Sequence, residues 1–204
     1  MAETGRVITL GITGASGAVF AQTLLRVLEA DSRVARVNLV VTDAGLRLIA
    51  GELEINGPDL KKFPALLLGR ETQKIEYISN KDIGAAIASG SNPVDAMVVL
   101  PCSVGTLATI AGGLSDDLLA RAADVCLKER RTLVLCVRET PLNRIHIENM
   151  LRAQAAGAVI MPVSPYFYHG PKTIEDLVAQ FVYRVLAQIG LPQEQQYRWT
   201  GRKS

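Results

Sequence analysis

Two uncharged runs that each stop at a polar turn constrain this chain most. Ala96-Met97-Val98-Val99-Leu100 stops at Pro101-Cys102-Ser103, and Thr132 to Val137 stops at Arg138-Glu139-Thr140-Pro141. Each reads as a buried strand ending in a polar turn, because a short apolar run without alternation has no wet face. Between them lies a helix beginning near Ser115, in which Arg121 and Lys128 stand seven residues apart. Two helical turns put both on one face, roughly 10 Å apart along the axis. Two buried strands ending in polar residues, with a cationic helix face between them, suit an anionic small molecule held at the edge of an α/β sheet.

The rest of the chain repeats this alternation. Val7 to Ile12 reads as a strand, followed by a glycine turn and a helix from about Ala18 to Ala30; Val37 to Val41 is a second strand, ending at Thr42-Asp43 before a helix from Ala44 to about Ala50. Gly51 to Asp82 is less regular, with a short strand at Ile75 to Ile78, and Ile83 to Ala88 reads as a small helix ended by Ser89-Gly90-Ser91-Asn92-Pro93. Ser115 suits a helix cap, with Asp116 and Asp117 at the positive end of the dipole and Lys128, Arg130 and Arg131 at the other. Pro141 suits the first turn of a helix that Gly157 ends. A strand over Ala158 to Val163, a Pro- and aromatic-rich loop from Ser164 to Pro171 and a helix from Ile174 to Ile189 complete the chain. The expected fold class is α/β: a single doubly wound Rossmann-like (flavodoxin-like) domain over residues 1–204, with a mainly parallel sheet between helices and residues 190–204 as a tail.

Composition excludes several classes of function. A net charge of +2 with both signs interspersed gives no field that argues for nucleic acid. Cys102, Cys126 and Cys136 form no CxxC pair and are odd in number, and His146 and His169 have no partner at metal-ligand spacing, so neither a disulfide framework nor a zinc site is expected. The uncharged run Ala96 to Leu114 reaches membrane-spanning length, but Pro101, Ser103, two threonines and three glycines make it strand, turn and helix start. Met1 to Arg6 is short and polar and has no signal-peptide pattern, so the expected location is the cytoplasm.

Several residues carry chemistry in this frame. Gly11-Ile12-Thr13-Gly14-Ala15-Ser16-Gly17 follows the first strand and opens the first helix, where free N–H groups suit a phosphate. The spacing is neither G-x-G-x-x-G nor a P-loop, and a tight turn explains the glycines but not Ser16. Ser103 to Thr106 occupies the equivalent place after another strand, as helix cap, ligand contact or both. Helix polarity accounts for Lys128 but not for the mid-helix Arg121, which points to an anion. Glu139 is either an acid/base or the partner of Arg138. Tyr166 to His169 form either a packed loop or a wall over an apolar ligand, Arg184 would ordinarily be surface, and His146 reads as a packing residue.

Taken together, GITGASGA, PCSVGTLA, RAADVCLKERR, LVLCVRETPL, GAVIMP and FYHGP, in order over nearly the whole chain, resemble the UbiX/Pad family of flavin prenyltransferases. The resemblance implies that Gly14, Ala15, Ser16, Thr42, Ser103, Val104, Gly105, Thr106 and Arg138 contact FMN. It implies that Arg121, Lys128, Tyr168 and Arg184 gather around dimethylallyl phosphate, and that Glu139 assists the chemistry, with Ser16, Arg121 and Lys128 also counted as catalytic. Two departures stand out: Thr42 replaces a common serine, and Asn92-Pro93 stands where a bulky aromatic often occurs.

The activity so implied is metal-free transfer of a dimethylallyl group to reduced FMN, at N5 and then C6. The prenylated FMN serves a UbiD-type decarboxylase, and the enzyme is a homo-oligomer, by resemblance a dodecamer with active sites at subunit junctions. Two competitors share the fold class or its ligand. A flavin-dependent decarboxylase of cysteine-containing substrates has a histidine in an early helix and a Pro-x-Ser-Ala-Asn-Thr turn; this chain has no histidine before His146 and has PCSVGT at the turn. A non-catalytic flavin-binding subunit would not need Arg121, Lys128, Glu139 and Tyr168 together.

Overall fold

Six parallel strands form one sheet in the order β3-β2-β1-β4-β5-β6: Arg6–Ile12 (β1), Val34–Val41 (β2), Ile75–Ser79 (β3), Ala96–Cys102 (β4), Thr132–Val137 (β5) and Val159–Ile160 (β6). The computed structural model describes residues 5–55 and 62–201. Most of the polar leader Met1–Arg6, the middle of the irregular Gly51–Asp82 stretch and the end of the 190–204 tail lie outside the described residues.

Helices cover both faces, as a parallel sheet of mostly apolar strands requires. Ala18–Ala30 (α1), Asp43–Leu53 (α2), Phe63–Leu68 (α3) and Ile174–Gln188 (α7) bury Leu24, Ile49, Leu67 and Phe181 against Ile8, Leu10 and Val98. Val104–Ala111 (α4), Leu118–Lys128 (α5) and Arg144–Ala155 (α6) bury Leu107, Leu119 and Ala153 against Met97, Val99 and Leu135. Period-two alternation along β4 sends successive side chains into the two cores.

Local boundaries differ from the sequence reading where long-range contacts choose among similar residues. The helix expected from Ser115 begins at Leu118, because Asp117 accepts the Ala120 N–H at 2.8 Å. Asn80 selects that cap: its Nδ2 donates to Asp117 at 3.0 Å and its Oδ1 accepts the Leu119 N–H at 2.9 Å. Pro141 lies outside α6, whose cap is Asn143, and His146 closes the capping box. The small helix expected at 83–88 is one 3-10 turn, Ala86–Ala88. Only Val159–Ile160 of the 158–163 segment is regular strand, although Met161 and Val163 still donate to Leu135 and Val137.

Strand order reverses direction between β1 and β4, which opens a crevice at their carboxyl ends. Thr13, fully buried just beyond β1, closes the floor of that crevice. Its hydroxyl donates to the Pro101 carbonyl at 2.8 Å and accepts the Ser103 N–H at 2.7 Å. Thr13→Val keeps the shape but leaves the buried Ser103 N–H without its acceptor, and the Pro101 carbonyl with only the Thr13 N–H at 3.2 Å. It should cost about 2 kcal/mol in urea denaturation; an unchanged midpoint would refute this role for Thr13.

Candidate active site at the carboxyl edge of the sheet

The turn after β1 is shaped by what presses on it. A Cβ at Gly14 would stand 2.5 Å from the Ala44 Cβ, so only glycine lets the turn pass under α2. Gly17 takes φ 118°, a left-handed conformation that suits glycine, and starts α1 without a side-chain cap of its own. The cap comes from α2: Glu52 accepts the Gly17 N–H at 3.0 Å and the Ala18 N–H at 2.7 Å. The free helix-start N–H groups expected for a phosphate are therefore taken, and the sequence reading is corrected there. Ser16 lies beside the Glu52 carboxylate, and Arg138 lies within charge range.

Hydroxyl groups line the crevice around this turn. Thr42 caps α2 through Gly45 N–H at 3.1 Å, and Thr42 N–H donates to Ile12 O at 3.0 Å, which fixes it beside β1. Ser103 caps α4, accepting the Thr106 N–H at 3.2 Å and donating to the Thr106 hydroxyl at 3.1 Å. Val104 and Gly105 occupy the first turn of α4, whose N–H groups have no intrahelical acceptor. Arg138 and Glu139 follow β5; Arg138 N–H donates to Cys102 O at 3.0 Å, and both side chains are exposed. Glu139 accepts the Thr140 N–H at 2.9 Å, so its carboxylate is not bound to Arg138. The structure thus brings together Gly14, Ala15, Ser16, Thr42, Ser103 to Thr106, Arg138 and Glu139 along one edge.

Tyr168 and Arg184 meet elsewhere, in a cavity of ≈ 310 Å³ between the segment after β6, α7 and the returning chain end. Tyr166, Phe181, Tyr197 and Trp199 complete its aromatic walls. Tyr168 and Trp199 stand edge to face with centroids 5.9 Å apart.

Arg121 and Lys128 occupy a third place. Arg121 donates to Ala88 O at 3.2 Å and to Asp124 at 2.8 Å, whereas Lys128 pairs with Glu129 beside Gly90. Both cations do share one helix face, turned to the Ala88–Gly90 turn. Leu118, at the start of α5, bonds Asn80 just past β3, so α5 starts at the carboxyl edge. Ten residues later Lys128 lies roughly 15 Å down the axis, at the opposite edge of the sheet. Lys128 therefore lies away from the hydroxyl-lined crevice of its own chain, and Arg121, three residues after Leu118, is turned to Ala88 and Asp124.

The buried thiols take no part. Burial pushes Cys102 up to about 12 and Cys126 up to about 11, and burial also raises Cys136, so all three stay protonated. Among the described residues no three His, Cys, Asp or Glu side chains gather at metal-binding distance, and no helix is long and apolar enough to cross a membrane.

Several residues at these sites were not singled out from the sequence, among them Thr13, Glu52 and Trp199, with Phe181 and Tyr197 beside Trp199. Thr13 lay inside the glycine motif, and a buried hydroxyl is not visible there. Glu52 is 35 residues from Gly17 and carried no local signal. Trp199 is the chain's one tryptophan, and that was a usable signal.

Burial pushes the Glu52 carboxyl up, but the Ser16 hydroxyl, hydrogen bonds from Ala18 and Gly17 and the Arg138 charge outweigh it and hold the group below its ordinary 4.5. A carboxyl lowered by folding adds stability above its unfolded value and loses it as pH falls through the folded one. Glu52→Gln should therefore reduce stability at pH 7 by about 1 kcal/mol, the scale of a helix cap. The deficit should shrink in urea titrations run below about pH 4. A deficit equal at both pH values would contradict the assignment.

Comparison with known proteins shows the family. The flavoprotein family model matches residues 2–186. Flavin prenyltransferase UbiX of Salmonella typhimurium (strain LT2) is 44% identical over 198 residues, covering 95% of this chain and 98% of the relative. The crystal structure of AnUbiX (PadA1) in complex with FMN and dimethylallyl pyrophosphate superposes with a TM-score of 0.85 at 39% identity, covering 98% of this chain and all of that one. A dodecameric FMN-dependent Ubix-like decarboxylase from Escherichia coli O157:H7 has a TM-score of 0.83 at 39% identity, covering 96% of this chain and 100% of that one. The chain belongs to the flavoprotein family and, within it, to the UbiX flavin prenyltransferases.

Proposed function

We propose that this chain transfers a dimethylallyl group from dimethylallyl phosphate to reduced FMN, producing prenylated FMN for a UbiD-type decarboxylase. The observation that carries this reading is the hydroxyl-lined crevice at the β1/β4 switch point, in a chain 44% identical to a flavin prenyltransferase. The residues there fit a flavin mononucleotide. Ser16, Thr42, Ser103 and Thr106 offer hydroxyls, the first turn of α4 offers N–H groups to a phosphate, and Arg138 offers a cation. Gly14 and Ala15 keep the turn thin enough for close approach. The spacing of the turn does not suit the dinucleotide NAD.

When bound, reduced FMN supplies the nucleophile, N5 and then C6. The protein's part is to take charge from the leaving phosphate, keep water out and move a proton. Arg121, Lys128 and Arg184 serve the phosphate, because breaking an allylic C–O bond places negative charge on it. Tyr168 and the aromatic walls beside Arg184 shelter the allyl group, whose developing positive charge favours π faces. Glu139 stands exposed at the flavin edge as a base for the proton released on ring closure, a task that the departing phosphate also suits.

These residues occupy three separate parts of one chain, so a complete site requires neighbouring copies. A homo-oligomer, a dodecamer like the similar Escherichia coli protein, supplies them at subunit junctions. Leu142, Ile145, Ile147 and Leu151 in and just before α6 are exposed and support burial against a further copy. We place the enzyme in the cytoplasm, as one flavoprotein domain over 1–204 with 190–204 as its tail. A decarboxylase reading is disfavoured by the prenyltransferase relatives and by the absence of a histidine before His146.

Incubation with reduced FMN and dimethylallyl phosphate without oxygen should yield a flavin heavier by one five-carbon unit in mass analysis. A flavin of unchanged mass, with phosphate or pyrophosphate donor, would overturn the reading. Arg121→Ala should keep FMN affinity and lower prenyl transfer about a hundredfold, the worth of roughly 3 kcal/mol of contact to a developing phosphate. Glu139→Gln should keep donor affinity, lower turnover and alter its pH profile. Wild-type turnover in Arg121→Ala would return α5 to the status of a solvated surface.

A further inference from the structure

Gln180 stands on α7 one turn before Arg184, and its side chain ties three segments together. Its Nε2 donates to the Gln195 carbonyl at 3.0 Å, its Oε1 accepts the Tyr197 N–H at 2.8 Å, and the Tyr166 hydroxyl donates to the same Oε1 at 3.3 Å. The returning chain end and the aromatic loop are thereby fixed to the helix that carries Arg184. Two residues past Tyr197, Trp199 meets Tyr168, and Tyr166 lies 6.1 Å from Tyr168 on its other side.

Burial does not hold these walls in place. Tyr168 is 75% exposed and Trp199 66% exposed. His169, between Tyr166 at 5.3 Å and Tyr197 at 6.2 Å, contributes packing only, since both its ring nitrogens are buried without a hydrogen-bond partner. The polar anchor of the whole group is the Gln180 amide. Its chemistry is specific: one partner is a backbone acceptor and the other a backbone donor, so the side chain must donate and accept at once. A carboxylate would face the Gln195 carbonyl with like charge, and an aliphatic side chain would leave both backbone groups unanswered.

We infer that Gln180 is a positioning residue of the aromatic cavity, setting where Trp199 and Tyr168 stand over Arg184 and, through them, how tightly the prenyl donor binds. This inference rests on the proposed assignment of that cavity to the donor. Gln180 makes its hydrogen bonds to Gln195, Tyr197 and Tyr166 and none to Arg184 or to the flavin edge, so its effect falls on the KM for the donor and spares FMN affinity.

Trp199 is the chain's one tryptophan, so its emission reports the tether directly. Gln180→Ala should shift Trp199 emission to the red, increase quenching by acrylamide and raise the donor KM about tenfold, with the FMN Kd within about twofold of wild type. Gln180→Glu keeps the acceptor for Tyr197 N–H and should fall between the two. Trp199→Ala should raise the donor KM by itself, and adding Gln180→Ala to it should change KM by less than about twofold, because the group being positioned is gone. Unchanged emission and KM in Gln180→Ala, or full additivity with Trp199→Ala, would overturn the inference. Arg184→Ala separates it from its premise: if that variant leaves the donor KM unchanged, the cavity assignment fails. If Arg184→Ala raises KM while Gln180→Ala does not, only the role of Gln180 fails.

Discussion

The Thr13 hydroxyl is the contact on which the flavin edge depends. It sits where the winding of the sheet reverses, and it must be both donor and acceptor to join the Pro101 carbonyl to the Ser103 N–H. That joint sets the distance between the glycine turn after β1 and the start of α4. Ser103 can then point its own hydroxyl along α4 to Thr106, and Thr42 is held to the same edge through Ile12. A buried hydroxyl with both functions satisfied is worth little net stability, but either half left unsatisfied is costly. The geometry of the crevice is therefore specified by a residue that itself makes no contact with solvent.

Sheet polarity imposes the second constraint. Parallel strands send all their carboxyl ends one way, so the flavin edge and the far end of α5 lie on opposite sides of the same chain. Arg121 and Lys128 are paired with Asp124 and Glu129, side chains of their own helix and its cap. Such half-exposed pairs are weak and give way readily to a phosphate, which offers charge and several acceptors at once. The aromatic cavity beside Arg184 is held by α7 and the returning chain end. If these three surfaces carry three parts of one chemistry, as we propose, assembly is a condition of catalysis and not only of stability.

Much of this architecture was legible in the sequence because the strands are short, mostly apolar and separated by amphipathic stretches. α1 begins at Ala18 and ends at Ala30 as its pattern indicates, and Gly157 follows α6 as expected. Boundaries went astray where several residues were locally equivalent. Ser115, Asp116 and Asp117 are all good caps, and only Asn80, brought in from the end of β3, selects the third. The start of α4 was read from Ser103, but its extent was hidden in an uncharged run, since its small apolar residues show no polar face to mark where a helix ends. Glu52 and Gln180 were invisible for a related reason. Each looks like an ordinary polar residue on a helix surface, and its role appears only when folding brings distant backbone groups to it.

The claim that one site draws its flavin edge and its phosphate cations from different copies is tested most directly by mixed assembly. Arg138→Ala disables the flavin edge and Arg121→Ala disables the cationic face, so each homogeneous oligomer should be nearly inactive. Co-expressed and randomly co-assembled, the two variants should regain prenyl transfer in about a quarter of the sites, where an intact edge meets an intact face. Activity no greater than that of the two parents would place Arg138 and Arg121 of each working site in the same chain, contradicting the account.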